Sequence, residues 1–345
     1  MRSAIAMLPH SQLLIYDMYD IPYHEQNLSK LTILVTGGAG FIGSNIVAYL
    51  LNHGVGKVRV IDNFLTGFRE NVTPFLAHDN YEFVEGDIRN LETCKQVCQG
   101  ADMVCHQAAM GSVPRSIQEP YNTTAHNVDG FVNMVFAAKE AGIKRFVYAS
   151  SSSVYGDEPN LPKVEHRIGK PLSPYAITKL SNELFAENFG RLYELEMIGF
   201  RYFNVFGPRQ SPRGAYAAVI PLFAEACFEN KPLYINGDGG QTRDFTYIEN
   251  VIQINIKALL TTNKEAVNQV YNVGCGGRYT VLELAKGIAK AAGVPDKEIT
   301  HRPTRAGDIR DSQAAIDKAQ RLLGYDPQFD FHEGLQLTVD YFRRK

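Results

Sequence analysis

The sequence predicts an α/β protein built on a doubly wound parallel sheet, followed by a smaller C-terminal α/β region. Three observations carry that expectation. Lys30–Gly43 (KLTILVTGGAGFIG) joins a short apolar run to a glycine-dense turn and the start of an amphipathic segment. Strand-like runs then alternate with helical spacing as far as Ser150, the pattern of parallel strands joined by crossover helices. Polar or small residues fall at the strand ends, where such sheets bind ligands.

Leu31–Thr36 is too short for a free-standing helix, is β-branched at Thr32, Ile33 and Val35, and stops at glycine, so it is expected to be a buried strand. Phe41, Ile42, Ile46, Val47 and Leu50 then recur at helical spacing. Gly37, Gly40 and Gly43 between them permit a tight turn, close approach of backbone to a pyrophosphate, and packing of helix on strand. Free N–H groups at the helix start face the phosphate charge. Lys57–Asp62 (KVRVID) is the next strand. The acid ending it is spaced to accept hydrogen bonds from an adenosine ribose and to repel a 2′-phosphate, which favours NAD over NADP.

Tyr81–Gly86 predicts a strand running into Asp87, Asn90–Cys98 a short helix, and Ala101–His106 a strand opening onto HQAAMGSVPRS. Asp87 reads equally as a helix N-cap and as an acid touching adenine. Pro120–Gly142 carries one long helical pattern, and Lys144–Ser150 is the following strand. Beyond residue 200, helices are expected at about 217–229, 249–261 and 280–291, with strand-like pieces at Leu233–Asn236 and Val270–Val273. This smaller region is expected to close over the ligand edge of the sheet.

The 345 residues are 45% hydrophobic and 21% charged, material for one large domain or two unequal ones. A formal net charge of −2 carries no basic excess, so nucleic-acid binding is not expected. No run approaches the roughly 18 apolar residues of a membrane span. Residues 1–29 hold only short apolar pieces, broken by Pro9, too short for a secretory signal; this extension is expected to pack on the domain or stay partly loose. The five cysteines, Cys94, Cys98, Cys105, Cys227 and Cys275, are an odd, scattered set that argues for reduced thiols in a cytoplasmic protein. Cys94 and Cys98 share a helix face, but no His or Cys neighbour completes a metal site, and no metal is expected.

Tyr175 and Lys179, in Ser173-Pro174-Tyr175-Ala176-Ile177-Thr178-Lys179, fall one turn apart on one helix face. A free phenol is a poor base at neutral pH; an adjacent ammonium favours its phenolate, but the needed shift, worth about 4 kcal/mol, is large for one cation, so a nicotinamide positive charge is expected to help. Tyr341 and Lys345 share the spacing without the context. Tyr175 instead follows a strand and the run Ser150-Ser151-Ser152-Ser153, where a hydroxyl is placed to bond the substrate oxygen that Tyr175 deprotonates. The same serines also suit a solvated loop.

These motifs resemble those of the extended short-chain dehydrogenases/reductases: the T-G-x-x-G-x-x-G turn, the Ser/Tyr/Lys set, Arg201-Tyr202-Phe203-Asn204-Val205-Phe206-Gly207, and Arg243-Asp244-Phe245. Within that superfamily the chain is most similar to UDP-N-acetylhexosamine 4-epimerases, relatives of UDP-galactose 4-epimerase. HQAAMGSVPRS, SSSSVYGD, GKPLSPYAITK, RYFNVFGPRQSPRGAYAAVIP and YINGDGGQTRDFTYIENV carry the similarity, from about Lys30 to the C-terminus.

The resemblance implies a Rossmann-type sheet with tightly held NAD, regenerated at each turnover. It implies an N-terminal extension over 1–29, an NAD-binding domain over 30–200, and a mainly UDP-sugar-binding region over 201–345, from which some segments return to the first. Ser151, Tyr175 and Lys179 are implied as catalytic. Gly37, Gly40, Phe41, Ile42, Gly43, Asp62, Asn63, Phe64, Gly67, Asp87, Ile88, Gln107, Ala108, Ala109, Asn127, Tyr175, Lys179 and Tyr202 are implied for NAD. Gly111, Ser112, Ser151, Ser152, Ser153, Tyr175, Asn204, Ala218, Val219, Tyr234, Asn236, Arg243, Arg305, Asp308 and Ser312 are implied for the UDP-sugar. In that set Asn204, Arg243 and Arg305 would contact the diphosphate, Asp308 the uridine ribose, and Val219 with Ile220 would lie near uracil. Guanidinium forks suit phosphate oxygens.

Ser312 matches a gate beside the sugar C2 substituent that holds a large Tyr in relatives restricted to UDP-glucose and UDP-galactose. A serine leaves room for an N-acetyl group. Ser312 also precedes QAAIDKAQRLL, a helical pattern, and reads equally as its N-cap. The implied reaction is reversible C4 epimerisation of UDP-GlcNAc to UDP-GalNAc through a 4-keto sugar, with the diphosphate clamped while the sugar turns. UDP-GlcNAc uronic acid and the plain hexoses are alternative substrates. A 4,6-dehydratase resembles the chain less, because Ser151-Ser152-Ser153 stands where that family places an Asp-Glu pair. Helices at about 120–142 and 173–192 imply a four-helix homodimer interface by the same analogy.

Overall fold

The computed structural model describes residues 18–213, 218–304 and 310–344. Its first half runs β1 (Thr32–Thr36), α1 (Phe41–Asn52), β2 (Lys57–Asp62), β3 (Tyr81–Glu85), α2 (Leu91–Cys98), β4 (Met103–His106), α3 (Val113–Gln118), α4 (Pro120–Thr124), α5 (Gly130–Glu140), β5 (Arg145–Ser151) and α6 (Pro174–Tyr193). The second half adds β6 (Glu196–Tyr202), β7 (Val205–Phe206), α7 (Val219–Phe228), β8 (Leu233–Asn236), β9 (Thr242–Arg243), β10 (Thr246–Tyr247) and α8 (Ile248–Leu260). It ends with β11 (Gln269–Val273), β12 (Tyr279–Thr280), α9 (Val281–Ala291), β13 (Ile299–Arg302), α10 (Asp317–Leu323) and α11 (Phe331–Arg344).

Seven strands form one sheet in the order β11-β6-β5-β4-β1-β2-β3, with every neighbouring pair parallel. This is the Rossmann-type α/β architecture. Chain order reverses between β1 and β4, and a crevice opens there beyond the carboxyl ends. Strand β11 comes from the C-terminal region and completes the far edge. Successive side chains serve opposite layers, as strand geometry requires. Ile33 and Val35 join the core with α1 and α8, while Leu34 joins the other with Val104, Phe146 and Met197. Burial on both faces explains why these strands read as continuous apolar runs.

Two expected helices differ. The single helix expected over 120–142 is α4, a π-helical turn at Ala125–Asp129, and α5. The turn's Asn127 receives the Met110 N–H (2.7 Å) and donates to the Thr178 hydroxyl (3.1 Å); those tertiary bonds offset the irregular ladder. The helix expected from Gln313 starts only at Asp317, with Ile316 as its N-cap residue, so Ser312 caps nothing. Residues before it run extended against Lys163, whose N–H donates to Gln313 O (2.8 Å) and whose carbonyl accepts from Ala315 N (2.9 Å).

Part of the N-terminal extension is a strap over α1 and α8. Tyr23 stacks on Tyr49 at 5.7 Å and donates to Glu249 Oε1 at 3.0 Å. Burial pushes the Glu249 carboxyl up to about 7. Three small sheets, β10-β7, β12-β9 and β13-β8, build the C-terminal region. Helix α9 is started by a capping box between Thr280 and Glu283, which satisfies two orphan N–H groups reciprocally. No helix among the described residues is long and apolar enough to cross a membrane.

Candidate active site

A cleft of about 450 Å³ lies beyond the carboxyl ends of β1, β2, β4 and β5. The glycine turn forms its floor. A Cβ on Gly43 would sit 2.2 Å from Gly37 O, and one on Gly37 would sit 2.7 Å from Ala108 N. Neither position admits a side chain without moving backbone. Gly40, the N-cap residue of α1, gives no side-chain cap, so first-turn N–H groups remain for an anion. Asp62 closes the other side, accepting from Ala39 N (3.0 Å) and Phe64 N (2.8 Å). Each carboxylate oxygen keeps a lone pair for a ribose hydroxyl. This cradle fits the adenosine diphosphate half of NAD, held by Gly37, Gly40, Gly43 and Asp62. Gly43→Ala is expected to cost about 1–3 kcal/mol of overpacking, weakening NAD retention about 10- to 100-fold. The dinucleotide content of purified protein measures this.

Ser173 caps α6 by accepting from Ala176 N at 3.1 Å, with Pro174 in the first turn. The cap fixes where the helix starts and hence which residues face β5. Tyr175, Lys179 and Glu183 follow at successive turns of one face. Tyr175 is half-buried in the cleft wall beside Ser151, the last residue of β5. Lys179 is 2% exposed and donates to Ala149 O at 2.7 Å. Burial pushes its ammonium down to about 8, against the opposing pull of Glu183. Glu183 holds Arg201 through two bonds, 2.9 and 2.7 Å, and accepts the Ser150 hydroxyl.

The protein alone does not depress the Tyr175 phenol, in line with the expectation that one lysine is too little. Burial pushes the phenol up, and a hydrogen bond with the Ser151 hydroxyl lowers it only in part. The Lys179 nitrogen stands 6.0 Å from the Tyr175 ring centre and directs a bond at a carbonyl. His106, behind the cleft, is pushed down to about 3 by burial and the nearby Lys179, so its ring stays neutral.

The cleft unites Gly37, Gly40, Phe41, Ile42, Gly43, Asp62, Asn63, Ile88, Gln107, Ala108, Ala109, Gly111, Ser112, Ser151, Tyr175, Lys179 and Tyr202. Other expected residues stand behind it. Gly67 packs on Ala39, and Asn127 braces Met110. Phe64 lies beneath the Arg69 guanidinium. Asp87 is bound by Asn63 and Arg89, the latter chiefly holding its carboxyl below the usual range. It does not cap α2; Asn90 does, accepting from Thr93 N. Ser152 and Ser153 begin a short 3-10 helix after β5.

Of the remaining expected nucleotide-sugar residues, Tyr234 and Asn236 lie in β8, Arg243 in β9 and Val219 at the start of α7, while Asn204, Ala218 and Ser312 sit in the connections around them. Asn204 adopts a positive φ of 34° and donates to Asp244 O at 3.0 Å. Arg243 donates to Thr242 O and Arg310 O, both at 2.9 Å, and Ser312 N donates to Thr242 O at 3.1 Å. Tyr234 lies under the Arg302 guanidinium at 3.6 Å, and Gln241 bonds the carbonyl of Asn236. Ala218 and Val219 begin α7, where Ile220 is buried in the core. Arg305 and Asp308 lie outside the described residues.

The strand-end residues Gly86 and Ser150 also line the cleft, and sequence reasoning missed Ile61, Leu65, Thr66, Met110, Arg115, His126 and Ala149 there. Their places beside strand ends point to Ile61 and Ala149. Arg115 and His126 have no local signal, because helix α3 and the π-helical turn bring them in by tertiary packing. The described residues hold no cluster of metal-ligating side chains. Cys94 instead donates its thiol to Ile88 O.

The family described as NAD dependent epimerase/dehydratase matches residues 33–274. The UDP-glucose 4-epimerase of Mycolicibacterium smegmatis is 37% identical over 90% of this chain and 98% of its own length. The structure of a UDP-N-acetylglucosamine 4-epimerase from Methanobrevibacter ruminantium M1 in complex with UDP-N-acetylmuramic acid superposes with a TM-score of 0.85. It is 36% identical and covers 91% of this chain and 99% of that one. A UDP-glucuronic acid 4-epimerase from Bacillus cereus, in complex with UDP-glucuronic acid and NAD, gives a TM-score of 0.83 at 32% identity, covering 91% and 99%. With the glycine cradle, the Ser/Tyr/Lys wall and these matches, the chain belongs to the NAD dependent epimerase/dehydratase family of extended short-chain dehydrogenases/reductases.

Proposed function

We propose that this protein is a UDP-sugar 4-epimerase whose main substrate pair is UDP-GlcNAc and UDP-GalNAc. The observation that carries the reading is the convergence of Ser151 and Tyr175 in one cleft with the dinucleotide cradle. When bound, NAD supplies a positively charged ring and a reversible acceptor for the hydrogen on the sugar's C4. Ser151 donates a hydrogen bond to O4. The Tyr175 Oη takes the O4 proton and later returns it, so no net proton or redox change accumulates. Lys179, tied to Ala149 O, adds positive charge to the same wall, and together with the charge of the bound ring it favours the phenolate against the cost of burial. Arg243 and Asn204 anchor the diphosphate. No acid stands at Ser151, Ser152 or Ser153 to expel water from the sugar, which favours epimerisation over dehydration.

Two features support the N-acetyl substrate. A Cβ on Gly111 would meet nothing within 4 Å, so the cleft is open beside the Gly111–Ser112 loop. The position that the resemblance makes a gate holds the small Ser312, which caps no helix. The second reading, a 4-epimerase for the plain hexose or a uronic acid, is supported by the Mycolicibacterium and Bacillus relatives. An NMR panel of UDP-GlcNAc, UDP-glucose and UDP-GlcNAc uronic acid separates them; UDP-GlcNAc is expected to be turned over fastest. Ser312→Tyr is expected to lower kcat/KM for UDP-GlcNAc about 10- to 100-fold, equivalent to about 1–3 kcal/mol of overpacking, with a smaller loss on UDP-glucose. Equal losses reject the gate.

The working form is read as a cytoplasmic homodimer. Ile177, Leu184, Phe185 and Leu192 line the outer face of α6, and Ile117 and Tyr121 stand exposed beside it. Such a stripe fits a second copy packed helix on helix.

A further inference from the structure

Asp244 has no relative exposure, yet nothing in the proposed chemistry uses it. Its carboxylate is filled by backbone: Oδ1 accepts from Cys275 N at 2.9 Å, and Oδ2 accepts from Gly276 N and Ala314 N, both at 3.0 Å. Its own carbonyl accepts from Asn204 Nδ2. One residue thus ties four pieces of chain: β9 with its Arg243, the turn after β11, the extended segment that carries Ser312, and the loop after β6. The neighbouring ladder depends on the same alignment. Thr242 N donates to Arg310 O at 3.0 Å, Ser312 N donates back to Thr242 O at 3.1 Å, and Arg243 Nη1 reaches Arg310 O. The hub is also close-packed, since a Cβ on Gly274 would lie 2.8 Å from Asp244 Oδ2 and 2.7 Å from Ala314 Cβ.

A buried carboxylate costs free energy unless its hydrogen bonds are complete. Here three N–H groups converge on the carboxylate, two from the Cys275–Gly276 turn and one from Ala314 in a segment far along the chain, which makes the group a register pin and leaves it no access to solvent or substrate. We propose that Asp244 is a positioning residue for UDP-sugar binding, setting the strand of Arg243 against the segment of Ser312 and acting on the substrate only through them. The inference rests on the UDP-sugar reading above. An amide at this position keeps one acceptor and turns an NH₂ towards backbone N–H groups, leaving buried donors unmet.

The test uses the holoenzyme as wild type, Asp244→Asn and Gly274→Ala, the second variant pressing on the same hub without changing charge. Calorimetric titration with UDP, bound NAD content, and kcat and KM for UDP-GlcNAc and UDP-glucose are measured on each. Both variants are expected to keep their NAD, to bind UDP about tenfold or more weakly, and to raise KM far more than they lower kcat. The preference for UDP-GlcNAc over UDP-glucose should shrink as Ser312 loses its register. Wild-type UDP affinity in either variant that retains NAD overturns the proposal, as does loss of UDP and NAD in parallel, which marks a general folding role. Wild-type protein that ignores UDP removes the parent reading and this inference together.

Discussion

Tyr175→Phe is expected to lower kcat about 10²- to 10⁴-fold, the range of a lost general acid–base group. Bound NAD and the affinity for UDP should hold, because the ring stays and only the oxygen goes. The structure sharpens what the phenol must overcome. Burial raises it, Ser151 offsets that in part, and Lys179 spends a hydrogen bond on Ala149 O. Ser151→Ala is therefore expected to act in the same direction, with kcat/KM falling most at low pH, where the phenolate is scarcest. NMR-monitored turnover across pH checks both variants. A Tyr175→Phe enzyme within tenfold of wild type would remove the phenol from the chemistry.

Glu183→Gln is the second large effect, and it acts on stability as well as on the site. The Glu183–Arg201 pair is nearly solvent-free, with side-chain exposures of 6% and 5%. Removing one partner of such a pair costs about 3–5 kcal/mol, because the other is left charged and buried. Urea denaturation should show that loss. The same carboxylate opposes deprotonation of Lys179, which burial already holds near 8 against an ordinary 10.5. Without it, the alkaline fall of kcat/KM should begin below pH 8. The sign of the linkage follows from proton counts. Between the folded value near 8 and the unfolded value of 10.5 the unfolded chain binds more protons, so wild-type stability rises with pH across that window. Below it the buried ammonium costs about 3 kcal/mol.

The sheet and the dinucleotide cradle were legible because local chemistry dictates them. Leu31–Thr36 and Lys57–Asp62 set the apolar residues Ile33, Leu34 and Val35, and Val58, Val60 and Ile61, among only a few polar ones, and the glycines mark where backbone must approach backbone. The Ser/Tyr/Lys wall was legible from helix spacing plus a strand end. The π-helical turn at Ala125–Asp129 was not, since the bonds from Asn127 that offset it reach Met110 and Thr178 across the fold. The false helix start at Gln313 has a similar cause: Ala314 and Ala315 favour helix, but Asp244 and Lys163 recruit their N–H groups into an extended ladder. Asp87 and Ser312 were both possible caps by residue type alone, and Asn90 and Ile316 took those places. Arg115 and His126 enter the cleft through packing that no short motif records.

The central claim is that a half-buried phenol and a held dinucleotide act together on C4 of a UDP-linked sugar. Proton NMR of UDP-GlcNAc with the purified enzyme in D₂O, without added cofactor, tests it most directly. The account predicts that UDP-GalNAc accumulates to a fixed ratio while the hydrogen on C4 is retained, because it leaves the sugar and returns without meeting solvent. Deuterium at C4, or no inversion at C4 of any UDP-sugar offered, would contradict it.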